Sequence, residues 1–163
     1  MISEVRYANL TVWTATAAGA TLGIAGVHMF AAPAPHDALP ATPGTAAGLL
    51  AHNALVTLWP LALIALGWSQ LRGARAAGHA LVAGQLVAHG LLVGNALGQH
   101  LALWRYLPHL PIEWLALATP AGAWLAAPRH TCRSRRWLGH NLAGVVALLT
   151  LAAIVETYLV PLP

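Results

Sequence analysis

The chain has no lysine, only four acidic residues, one phenylalanine and one cysteine among its 163 residues. Charged residues make up 7% of it, against about 25% in a soluble globular domain of ordinary composition. Each scarcity excludes something. A chain so poor in charge has no polar coat with which to keep a soluble surface wetted. The single Cys132 leaves no disulfide framework. The eight basic residues are all arginine and fall in short groups between apolar runs, so no continuous basic face exists for nucleic acid. The three serines, Ser3, Ser69 and Ser134, stand in no nucleophile-elbow setting, and no phosphate-binding loop occurs.

Apolar residues are abundant instead, at 58% of the chain. A transmembrane helix needs roughly 20 mostly apolar residues, and five stretches approach or exceed that length: 10–30, 46–68, 78–103, 112–127 and 137–160. The reading is an all-α, polytopic transmembrane helical bundle of about five spans, forming one integral membrane domain over 1–163. No cleavable leader is expected at MISEVRY, since the first apolar run is of spanning length. The segment AAPAPHDALPATPG between spans one and two is too proline-rich for a helix. The fourth run is short, and WRYLPHLP before it is expected to form a re-entrant turn, backbone that survives at membrane depth only where protein or water covers it.

The arginines set an orientation. With five spans, Arg6, Arg72, Arg75, Arg129, Arg133, Arg135 and Arg136 share one side, and only Arg105 falls on the other. The positive-inside rule makes the arginine side cytoplasmic, with the N-terminus inside. Trp68, Trp124 and Trp137 then mark inner ends, and Trp104 and Trp114 an outer one.

That threading gathers the remaining polar residues into an outer layer: His52 and Asn53 at the start of span two, Asn95 and His100 near the end of span three, His109 and Glu113 entering span four, and Glu156 with Tyr158 near the end of span five. Ionisable groups in membranes are costly and face a partner or a watery cavity, so this layer is read as structural glue or cavity lining. The alternative for a histidine near the interface, His28 or His109 for instance, is simple contact with headgroups or water. Within span three, Gly90, Gly94 and Gly98 form a GxxxGxxxG ridge for close helix packing, whether with another span or with a second copy of the chain. Gln85 and His89 are expected to hydrogen-bond between helices.

Nine histidines raise a haem or metal reading, with His28 and His52, or His52 and His100, at matching depth. No CxxCH or HExxH motif occurs. No catalytic residue, metal ligand or cofactor is therefore assigned, and a haem- or metal-binding redox protein is the second-ranked class.

The pieces AHNAL (51–55), GNALGQHLALWRYLPHLPIEWLALATPAG (94–122) and VETYLVP (155–161) resemble, in order, motifs of the stage II sporulation protein M family of bacterial membrane proteins. The family more often shows Asn-Gly where this chain has Gly94-Asn95. The resemblance implies a non-enzymatic multi-pass subunit of a transport or envelope complex, with lipids, other membrane-protein subunits and a cytosolic ATP-binding cassette ATPase as partners. Arg129, Arg133, Arg135 and Arg136 are the expected docking surface for that ATPase or for anionic lipid, and the glycine ridge suggests a homo-oligomer.

Overall fold

The computed structural model describes residues 1–29, 41–127 and 135–159. They form five α-helices: α1 (Ile2–Ile24), α2 (Pro43–Ala65), α3 (Arg72–Gln99), α4 (Leu110–Ala126) and α5 (Arg135–Tyr158). Two short 3-10 helices, Trp68–Gln70 and Leu101–Tyr106, lie in the α2–α3 and α3–α4 connections. The described residues contain no strand, so the fold is an all-α helical bundle. α2, α3 and α5 are each long and apolar enough to cross a membrane, which marks the chain as a membrane protein.

The other two helices differ from the expected spans for physical reasons. α1 begins eight residues earlier than the apolar run, at Ile2 instead of position 10, and takes Glu4, Arg6 and Asn9 into its first turns. It ends at Ile24 because Gly26 adopts φ 80°. The Gly26 N–H then bonds the Gly23 carbonyl and the Val27 N–H the Leu22 carbonyl, the paired bonds of a Schellman stop. α4 has 17 residues, roughly 25 Å at 1.5 Å per residue, which is less than a ~30 Å hydrocarbon core. Its role is central: α1, α2 and α5 all pack around it, and Trp114, Leu117, Ala121, Trp124 and their neighbours are buried. A helix apolar on every side is a core helix.

This burial corrects the expectation for two tryptophans. Trp124 is 0% exposed and Trp114 is 4% exposed, so both are core side chains, not interfacial anchors. Trp124 fills the space left by the missing side chain at Gly78, where an added Cβ would run into the indole ring. Trp68 and Trp104, by contrast, are about half exposed in the two 3-10 connections.

α1 packs most extensively on α3. A Cβ added at Gly90 would lie 2.6 Å from the Val12 carbonyl oxygen, one at Gly94 would collide with the Thr16 backbone, and one at Gly98 with the Ala20 backbone. On the facing side, a Cβ at Gly19 would sit 2.5 Å from the Leu91 carbonyl oxygen and one at Gly23 2.5 Å from that of Asn95. Two small-residue ridges thus interlock, and the partner of the α3 ridge is α1 of the same chain. Meanwhile Leu55, Leu81, Leu151 and Ile154 point outward and are exposed. Apolar side chains both inside and outside the bundle leave lipid as the solvent that suits this surface.

Candidate functional site

Antiparallel threading puts the C-terminal ends of α1, α3 and α5 beside the N-terminal ends of α2 and α4. The polar residues assigned to one layer do share this end, but they separate into two groups.

Asn95 belongs to the first. It is 0% exposed and spends its amide on the chain just beyond α1. Its Oδ1 accepts from the Met29 N–H at 3.0 Å and from Gln99 Nε2 at 2.7 Å, while Nδ2 donates to the Val27 carbonyl at 2.8 Å and to that of Gly19 at 3.4 Å. His28 Nδ1 adds a 2.9 Å bond to Gln99 Oε1. This is a structural clamp between α1 and α3, with every hydrogen-bonding position of the Asn95 amide in use.

The second group forms where α2, α4 and α5 meet. His109 is the N-cap of α4 and Glu113 stands in its first turn, where a carboxylate faces the positive end of the helix dipole. The four-residue spacing stacks the two side chains on one helix face. Glu156, two residues before the end of α5, reaches the same point. His109 Nε2 lies 3.9 Å from Glu113 Oε2 and 3.9 Å from Glu156 Oε2. One donor atom from each of the three residues falls within 4.8 Å of the others. From α2, Asn53 Nδ2 donates to the second oxygen of Glu113, Oε1, at 2.8 Å.

His109 is the unusual member. The residue is 5% exposed, its Nδ1 is buried without a partner, and Nε2 faces the two carboxylates beyond hydrogen-bond reach. An unsatisfied buried polar group costs about 1–3 kcal/mol, so the fold holds this imidazole in place by packing.

Beside Glu113 a small cleft of about 150 Å³ is lined by His52, Asn53, His89, Glu113 and apolar neighbours including Trp114 and Leu149. His89 donates through Nδ1 to the Gln85 carbonyl of its own helix at 3.0 Å, leaving Nε2 as its other polar atom. Gln85 supplies the expected interhelical bonds, accepting from Trp59 Nε1 at 2.9 Å and donating to the Val56 carbonyl at 2.7 Å. Ala116, Val145 and Leu149 form a buried apolar cluster among α2, α4 and α5, below the polar groups.

Of the residues assigned from sequence, Asn53, His109, Glu113 and Glu156 come together, His52 lines the adjoining cleft, and Asn95 serves the clamp. His100, the C-cap of α3, and Tyr158 are exposed and stand outside the three-residue group. The expected re-entrant segment folds as the 3-10 helix Leu101–Tyr106 and a turn that returns His109 and Leu110 to the bundle interior. Arg135 and Arg136 open α5 at the opposite end of the bundle and are exposed, and Arg129 and Arg133 lie outside the described residues. His89, expected to bond between helices, bonds its own helix instead, and its place in the cleft follows from the Gln85 bonds that join α3 to α2, which local pattern does not reveal.

No family model, no curated protein and no solved structure matches the chain.

Proposed function

We propose that the chain is a non-enzymatic, multi-pass subunit of a bacterial cytoplasmic-membrane complex that serves transport or envelope remodelling. Its N-terminus is cytoplasmic, and the end carrying His109, Glu113 and Glu156 faces outward. The observation that carries this reading is the segregation of polar groups along the bundle. Arg6, Arg72, Arg75, Arg135 and Arg136 open α1, α3 and α5 at one end, while the imidazole and carboxylate groups lie at the other. A charge asymmetry of this kind orients a membrane protein with its arginines inside. The outward apolar faces of α2 and α5 suit lipid or a neighbouring subunit, and the resemblance to the stage II sporulation protein M family points the same way.

The arginine end is the docking surface for an ATP-binding cassette ATPase in this reading. The test is charge reversal, Arg135→Glu with Arg136→Glu, in a tagged full-length protein expressed with such an ATPase. Loss of the co-purifying ATPase, with membrane insertion retained, is the expected result; an unchanged complex overturns it. The haem alternative is less well supported, because a cleft of about 150 Å³ is smaller than the ~300 Å³ at which small-molecule sites begin. A Soret band in the spectrum of the purified protein would reverse that order.

A further inference from the structure

We propose that His109 Nε2, Glu113 and Glu156 bind a divalent first-row transition-metal cation, with Zn²⁺ as the representative ion, and that Asn53 positions Glu113 for it. The inference stands apart from the identity of any partner protein.

Charge is the first argument. With both carboxylates ionised and the imidazole neutral, the three side chains carry two negative charges in an apolar bundle. Among the described residues, no arginine pairs with either glutamate, and the contacts within ion-pair range are those of His109. A divalent cation brings that sum to zero at a half-buried carboxylate pair. The second argument is independent of the acids. His109 is nine-tenths buried, neither ring nitrogen has a hydrogen bond, and Nε2 faces both carboxylates at 3.9 Å. An imidazole held at that distance from two acceptors is too far to bond them and well placed to share a ligand with them.

The spacing fits an ion in the middle. Zinc bonds to nitrogen and oxygen run about 2.0–2.2 Å, which puts tetrahedral donors roughly 3.4 Å apart. The two 3.9 Å separations are about half an ångström wider, and the two glutamates have torsions enough to close the difference. One nitrogen and two carboxylate oxygens suit Zn²⁺, Mn²⁺ or Fe²⁺, whereas Ca²⁺ and Mg²⁺ favour oxygen-only shells and Cu⁺ favours sulfur. Three protein ligands leave a fourth position open, beside a cleft that His52 and His89 line. Asn53 fixes the oxygen of Glu113 that is not turned toward His109, the usual work of a hydrogen bond behind a metal-bound carboxylate. The orphaned Nδ1 lacks the equivalent support, so packing alone orients the ring.

The test uses full-length protein in nanodiscs, stripped with chelator and titrated with Zn²⁺. The expected result is about one ion per chain, with at least a tenfold loss of affinity in His109→Ala, Glu113→Gln and Glu156→Gln, and a loss of about 10–100-fold in Asn53→Ala. His52→Ala and His89→Ala should bind as the parent does. The proposal is overturned if the stripped parent takes up no Zn²⁺, if the glutamine variants bind undiminished, or if His52→Ala and His89→Ala lose the ion instead. X-ray absorption of the parent's Co²⁺ complex needs no variant: one imidazole with oxygen donors is expected, and two or more imidazoles would overturn the assignment.

Discussion

Asn53 and Glu113 are 60 residues apart in the chain and joined by a 2.8 Å hydrogen bond from Nδ2 to Oε1. The bond ties α2 to the first turn of α4 at the point where the helix begins, so the carboxylate that faces His109 is held from behind. α4 has no side-chain cap: the Leu110 N–H bonds the Leu107 carbonyl, the Ile112 N–H bonds the His109 carbonyl, and Pro111 has no N–H to satisfy.

A double-mutant cycle measures that tie. Asn53→Ala, Glu113→Ala and the double variant, each unfolded reversibly in detergent, should give a coupling of about 0.6–1.7 kcal/mol, the range found for hydrogen bonds between membrane helices. A coupling indistinguishable from zero would mean the two side chains do not meet in the folded protein.

Gly94→Ile should unseat α1 from α3, because its side chain would occupy the Thr16 backbone position. Overpacking of this kind costs about 1–3 kcal/mol or more. Thermal unfolding followed by size-exclusion chromatography should show a lowered transition and aggregation. Gly84→Ile, on the same helix with open space at its Cβ position, should leave the elution profile intact. If Gly94→Ile instead gave a well-folded protein of smaller oligomeric size, the ridge would be an interface between copies.

Asn95→Ala removes four hydrogen bonds, of which those to Met29 and Val27 hold the chain beyond α1. Unpaired buried groups left behind cost about 1–3 kcal/mol. A cysteine placed at Met29, in a background lacking Cys132, should react with maleimide faster when Asn95 is alanine; equal rates would contradict the clamp.

Much of this architecture is legible in the apolar runs, because burial in lipid and burial in protein both demand them. That double demand is also why α4 misleads. Its run reads as a short span, while its actual company is α1, α2 and α5 on every side, and nothing local to Leu110–Ala126 distinguishes lipid from protein neighbours. The ridge of Gly90, Gly94 and Gly98 announces close packing, but the complementary pair Gly19 and Gly23 decides with whom. At the polar end, counting helix reversals suffices to bring His109, Glu113 and Glu156 to one depth. It does not say which side chains turn toward each other: Asn95, at a similar depth, turns to Val27 and Met29, and Tyr158 turns out. Those choices depend on helix rotation, set by packing far from the polar residues.

The measurement that bears most directly on the account is side-specific labelling of single cysteines in intact cells. In a Cys132→Ser background, cysteines at Leu101 and His52 should react with a membrane-impermeant maleimide added outside. Those at Arg72 and Arg136 should react only after permeabilisation. Equal labelling of all four from one side would mean that the arginine and carboxylate ends do not lie across a membrane from each other, and the account would fail.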